Sequence, residues 1–282
     1  MSLAIGPLDG VEEAAPALSS AFRDDGHPPS QWRRHLLADL EARRIDPDAS
    51  KVARLDGVVV GVAIARWVDD AGERIGHLGS TGVRPAFARR GIGRALVQAA
   101  LGALDTLGCS RITLEVAAEN SAARALYESV GFETRRELLV WSLTGRSGAP
   151  AGRRAAPVEV LLARPETRPA FQRRSAYLRT FGDLDGWICP SAGPPRAGLL
   201  RRGEALFDLW THDPELSRHD VPPGRLTLLH EPAEETNPVH LALTRLGAEV
   251  TGRFLELERR ARGVSERPSE YRGAAITGSV PK

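Results

Sequence analysis

The sequence predicts an α+β protein in two unequal parts: a mixed, mostly antiparallel sheet flanked by helices, then a second, smaller unit. Three observations carry this. Hydrophobic periodicity runs β-α-α-β-β-β-α-β-α-β over residues 1–143. The middle strands are joined by hairpin signals, which argue against a parallel βαβ sheet. The 282 residues exceed the ~100 to 200 of an ordinary domain, and Thr144 to Pro157, fourteen residues without an aromatic or branched aliphatic side chain, read as a linker. The expected division is 1–143, linker 144–157, second domain 158–261 and a flexible tail 262–282.

The elements follow in order. Leu3 to Leu8 reads as a strand, and Val11 to Arg23 and Ser30 to Arg44 as helices. In the second helix Ser30 is the expected N-cap, with Trp32, Leu36, Leu37 and Leu40 on one face. Lys51 to Asp56 and Val58 to Val68 form a hairpin around Asp56-Gly57, and Asp69 to Gly72 turns into a strand over Ile75 to Val83. Ile92 to Leu107 is amphipathic and stops at Gly108. Ile112 to Ala117 is the next strand. A helix from Ser121 to Val130 follows, capped by Asn120 and stopped by Gly131, and then a strand over Thr134 to Leu143.

Composition narrows the function. The 38 basic and 36 acidic side chains leave a formal charge of +2, a balance that does not point to nucleic acid. Only Lys51 and Lys282 are lysines, an arginine skew that reads as codon bias. Cys109 and Cys189 are too few and too far apart for a disulfide framework or a thiolate metal site. The start lacks a basic region followed by an apolar one, and no apolar run approaches the ~18 residues of a membrane span. We expect a cytoplasmic protein that binds no metal and no membrane.

Two constellations carry chemistry. Val83-Arg84-Pro85-Ala86-Phe87-Ala88-Arg89-Arg90-Gly91-Ile92-Gly93-Arg94-Ala95 joins a strand to a helix through glycines, with two arginines just before the helix. Free N–H groups and the positive helix end make this an anion cradle. It is not a P-loop, since no Gly-Lys-Ser or Gly-Lys-Thr occurs, and a dinucleotide fingerprint would need glycine where Leu96 stands. The second constellation is Leu114-Glu115-Val116, Asn120, Ala123, Leu126, Tyr127, Gly131 and Phe132. Taken singly, Asn120 is a helix cap and Tyr127 a core residue.

Taken together, the two resemble the Gcn5-related N-acetyltransferase (GNAT) family over Leu3 to Leu143, and most closely its ribosomal-protein alanine acetyltransferases. The resemblance implies a domain that binds acetyl-CoA through Val83, Arg84, Arg89, Arg90, Gly91, Ile92, Gly93, Arg94 and Ala95, with Asn120 and Tyr127 along the pantetheine and thioester. It implies transfer of acetyl to a primary amine of a peptide or small molecule. The sequence departs from the family at Ala88, where Gln or Arg is usual, and Arg89 stands where glycine is common; weakened cofactor binding is expected.

Acetyl transfer needs a neutral amine, a polarised carbonyl and a proton for the thiolate. Glu115 alternates with Leu114 and Val116 and so faces the other side of its strand, where it can act as base; His77 is the rival. The family polarises the carbonyl with a main-chain N–H beside a bulge, which we place at Gly82-Val83, making Val83 the donor. Tyr127 is the candidate acid.

In the second half, Arg225-Leu226-Thr227-Leu228 matches Arg111-Ile112-Thr113-Leu114, Asn237 and Gly247 match Asn120 and Gly131, and Asp185-Gly186 matches Asp56-Gly57. This predicts a degenerate second GNAT-like domain without the cradle, with Leu243 at the tyrosine position. It would cover a sheet edge, shape the amine site or form a homodimer contact. His212, His219, His230 and His240 match no metal-ligand spacing. The alternative function is a non-catalytic module for acyl-CoA sensing or protein docking.

Overall fold

Two-residue alternation and the turns at Asp56-Gly57 and Ala71-Gly72 fold residues 51–83 into a meander, with Asp56 and Ala71 themselves at positive φ. The computed structural model describes residues 2–145, 154–162, 170–171, 174–189, 197–211, 216, 221, 224–233 and 237–261. Its first half contains β1 (Leu3–Pro7), α1 (Val11–Ala21), α2 (Pro29–Glu41), β2 (Lys51–Leu55), β3 (Val58–Asp70), β4 (Glu73–Val83), α3 (Ile92–Thr106), β5 (Arg111–Ala117), α4 (Ser121–Glu128) and β6 (Glu133–Gly145). The second half contains β7 (Arg154–Ala155), α5 (Val158–Leu162), α6 (Ser175–Leu178), β8 (Asp185–Cys189), β9 (Ala197–Arg202), β10 (Ala205–Thr211), β11 (Gly224–Pro232), α7 (Pro238–Arg245) and β12 (Glu249–Arg260).

All strands join one sheet in the order β1-β2-β3-β4-β5-β12-β6-β11-β10-β9-β8-β7. Neighbours from β1 to β4 are antiparallel. β4 and β5 are parallel and pair only from Ile75↔Arg111 to His77↔Thr113. β10 and β11 repeat this parallel contact at Ala205↔Thr227 and Leu206↔Leu228. At the centre the two halves exchange strands: β12 lies beside β5, and β6 beside β11. β12 and β6 in turn pair with each other.

The helices cover the sheet in two layers. α3 and α4 pack over Leu114, Val116 and Leu257. α7 buries Val239 and Leu243 against Leu139, Trp141 and Leu143 of β6. On the opposite face α1 and α2 cover Val52, Val59, Val62 and Ile64. Phe171 and Tyr177 of the second half extend that layer over Val68 and Ile75. Arg174 joins it to the first half by an ion pair to Asp70 at 2.7 Å, and Arg44 Nη1 donates to the Thr180 carbonyl at 3.3 Å.

The repeat expected from sequence is visible in local detail. Asn120 and Asn237 both cap helices, accepting from the N–H groups of Ala123 and Val239. Gly131 and Gly247 both take positive φ after those helices. The Asp185-Gly186 match does not hold, because those residues open β8 and pair with Arg201 and Leu200 instead of turning.

Other expectations need correction. A division at residue 143 does not describe the sheet, because β12 stands between β5 and β6. The linker is shorter than 144–157: Thr144 and Gly145 pair with Arg225 and Gly224, and Arg154 and Ala155 with Ile188 and Trp187. Main-chain pairing needs no apolar side chain, so composition did not mark these ends. Residues 146–153 and the expected tail 262–282 lie outside the described residues. Ser30 is not the N-cap; α2 begins at Pro29 after Pro28, since proline at the first helical position has φ already set.

Candidate active site

Past His77 and Thr113 the strands β4 and β5 no longer pair; along this gap in their pairing lie Thr81 to Val83 on β4 and Glu115 on β5. On β4 the ladder to β3 shifts between Leu78 and Thr81, which places the bulge at Gly79-Ser80 and not at Gly82-Val83. Gly82 is a packing glycine: a Cβ there would lie 2.5 Å from Ala21 Cβ at the end of α1. The direction of the Val83 N–H is set by the ladder. Arg84 N–H donates to the Val60 carbonyl at 2.8 Å. The alternation of an antiparallel ladder therefore turns the Val83 N–H away from β3 and toward the gap.

The cradle stands at the mouth of the gap. Pro85–Phe87 make one tight helical turn, Arg89 takes φ 61, and Gly91 takes φ 78 as the N-cap of α3. The N–H groups of Ile92, Gly93 and Arg94 precede the first intrahelical bond and have no partner among the described residues. Ala95 is different, because its N–H donates to the Gly91 carbonyl at 3.0 Å, and the Arg84 N–H is committed to β3. Neither amide is a free donor; Arg84 can contribute only its guanidinium, whose buried Nε lacks a partner.

Arg89, Arg90 and Arg94 are exposed, and none forms an ion pair among the described residues. Arg90 lies over the Phe87 ring at 5.5 Å. These cations and the uncapped helix start form a positive rim suited to a pyrophosphate.

Gly93 supports the fit of a ligand. It has no positive φ, and a Cβ there would meet only Leu126 at 3.5 Å and Val83 at 3.8 Å, ordinary contacts. The fold itself therefore does not require glycine at this point, where α3, α4 and β4 converge.

Tyr127 projects from α4 into the core, with its ring edge-on to Phe132 at 5.9 Å. Its hydroxyl faces the Thr81 side chain on β4. Burial raises the phenol pKa and the nearby Thr81 side chain offsets part of that rise, so the hydroxyl stays protonated at neutral pH. Asn120 is exposed at the start of α4, with its Oδ1 used by the cap. A hollow of about 540 Å³ between α3 and α4, lined by Gln98, Asp105, Glu128 and Arg259, lies toward their far ends and holds none of these residues.

On the opposite face Glu115 is buried, its side chain 5% exposed. Its Oε2 lies 3.3 Å from His77 Nε2, while Oε1 has no hydrogen-bond partner. Its pKa is raised to about 8, first by burial and next by the Glu256 carboxylate; Arg66 and Arg136 oppose the rise. His77 is held from both sides: Nδ1 lies 3.2 Å from Thr113 Oγ1, and the ring stacks on Phe171 at 4.5 Å. Its side chain is 1% exposed, with Nε2 turned to the Glu115 carboxyl. Sequence reasoning missed Phe171, Tyr177, Arg136 and Glu256, which reach this face only through the exchanged strands and the docked second half. His240 packs edge-on to Trp141 at 5.1 Å; His212, His219 and the His230 side chain lie outside the described residues.

The chain is similar to known proteins over its first half in sequence and over both halves in fold. Residues 13–132 match the model of the acetyltransferase (GNAT) family. A mycothiol acetyltransferase of Amycolatopsis mediterranei is 33% identical over 137 residues, 46% of this chain and 45% of that protein. The ribosomal protein bS18-alanine N-acetyltransferase of Salmonella typhimurium is 52% identical over 50 residues, 18% of this chain and 34% of that protein. Each match spans less than half of the relative's length. A tandem GNAT protein from the clavulanic acid biosynthesis pathway, 19% identical, superposes with a TM-score of 0.62 over 94% of this chain and 100% of that one. The doubled GNAT fold therefore extends over both halves.

Proposed function

From the premise that residues 13–132 form a GNAT acetyltransferase domain, we propose that the protein moves an acetyl group from acetyl-CoA to a primary amine of a peptide or small molecule by direct attack. One observation carries this reading. The gap between β4 and β5 is bordered on one face by the cradle and the Tyr127 hydroxyl, and on the other by a buried carboxyl with an unsatisfied oxygen.

Bound acetyl-CoA would supply an activated thioester. The N–H groups of Ile92, Gly93 and Arg94, with Arg89 and Arg90, would hold its pyrophosphate, and Asn120 would border its pantetheine arm. The Val83 N–H faces the gap and can donate a hydrogen bond to the carbonyl oxygen as negative charge gathers on it. Glu115, with its pKa raised to about 8, is matched to take a proton from an ammonium group. Tyr127 remains protonated and can give its proton to the departing sulfur. In the second half Ala205 faces Thr227 where His77 faces Thr113, and Leu243 is a core residue where Tyr127 stands. We assign the cofactor cradle and the groups that touch the reacting atoms to the first half.

The test is CoA thiol release from acetyl-CoA with a panel of peptides and small amines, paired with mass spectrometry of the products. Amine-dependent release with an acetylated product is expected. Acetyl-CoA binding without turnover across the panel would instead make the protein a sensing module.

A further inference from the structure

The acceptor face contains a second carboxyl that no part of the reading above uses. In the register of β12 against β5, Glu256 stands directly opposite Glu115. Both project to the face away from α3, because Leu114, Val116 and Leu257 point into the α3 core. Glu256 is buried, and its Oε2 accepts from Arg136 Nε at 2.6 Å. Two carboxyls on adjacent strands in a buried setting repel each other, and this favours a proton on the one without a cation of its own.

The fold does not demand this pair. β11 and β6 repeat the β5–β12 contact in the second half. One residue beyond Leu228↔Trp141, at the sequence positions that correspond to Glu115 and Glu256, stand Leu229 and Val140, and the ladder shifts there before resuming at Glu231↔Leu139. The half without a cradle thus has no carboxyl at either position.

We propose that Glu256 is a positioning residue of the first half's site: carried there by the exchanged strand of the second half, its carboxylate makes Glu115 a stronger proton acceptor. This rests on the reading of Glu115 as the group that takes the acceptor's proton. The groups facing Glu115 are His77 from β4, Arg66 from β3, Glu256 from β12 and Arg136 from β6, with Thr113 preceding it on β5. Phe171 and Tyr177 close the space, and Tyr177 accepts from Arg66 Nη1 at 2.8 Å. Arg66 and Arg136 pull the proton off Glu115, and Glu256 opposes them. The second half therefore takes part in the chemistry without a cofactor site of its own.

The experiment is an NMR titration of the Glu115 side-chain carboxyl in the full-length chain, labelled at glutamate Cδ and assigned by loss of the signal in Glu115→Gln. Because it needs no turnover, its failure is distinct from failure of the acetyltransferase reading. Glu256→Gln should lower the Glu115 midpoint by about one pH unit or more, since it removes the opposing charge and frees Arg136. Glu256→Asp should restore most of the wild-type midpoint, and Glu258→Gln, farther along the same face, should leave it in place. If Glu256→Gln does not fold, Arg136→Gln supplies the opposite perturbation and should raise the midpoint. An unmoved midpoint in a folded Glu256→Gln chain, or in Arg136→Gln, overturns the proposal.

Discussion

At the scale of single residues, Glu115 shows how one side chain couples chemistry to stability. Its folded pKa is about 8 against an ordinary value of 4.5, so in this interval the folded chain holds a proton that the unfolded chain has lost. The stability tied to that proton is full below about 4.5 and is lost as pH rises through about 8. Glu115→Gln, neutral at every pH, should therefore match the wild type within about 2 °C in Tm at pH 5 and exceed it by about 5 °C or more at pH 9. Calorimetric scans across pH check this, and a constant difference would contradict it. That Glu115 turns away from the core was legible from alternation with Leu114 and Val116. Its partner Glu256 was not, since the two are joined only by a strand pairing far apart in sequence.

At the scale of elements, the strand-loop-helix unit from β4 to α3 was readable because its punctuation is local: Pro85 sets φ at the start of the tight turn, and Gly91 takes the positive φ that precedes α3. Three details were not readable. The bulge lies at Gly79-Ser80, because Gly82 is glycine to admit the end of α1. Ala95 is already inside the helical ladder, so the donor set ends at Arg94. Arg89 holds φ 61, a conformation that costs a non-glycine residue about 1 kcal/mol and keeps a cation at the rim. Gly93 separates ligand from fold most cleanly. Gly93→Ala should leave stability unchanged or raise it by up to ~1 kcal/mol. It should also weaken acetyl-CoA binding about ten-fold, read by titration calorimetry. Unaltered affinity would remove Gly93 from the site.

At the scale of the molecule, the chain is two GNAT-like halves joined by exchange of their last strands. Sequence showed the repeat through Arg225, Asn237 and Gly247, but register between β12 and β5 carries no local signal. Residues 1–145 alone leave the β5 backbone unpaired on the side where β12 lies and remove Leu257 from the core under α3 and α4. We expect that fragment to lack a cooperative unfolding transition and to recover one when co-expressed with residues 146–282. A 1–145 monomer that melts cooperatively and binds acetyl-CoA like the full chain would contradict the exchange.

The whole account converges on the gap between β4 and β5, and Tyr127 tests it most directly. The measurement is amine-dependent CoA release by the wild type and by Tyr127→Phe, which keeps the ring against Phe132 and removes only the hydroxyl. The account predicts release by the wild type and a fall of about ten-fold or more in kcat for the variant, with Tm within about 2 °C. Equal turnover by the two proteins would contradict it.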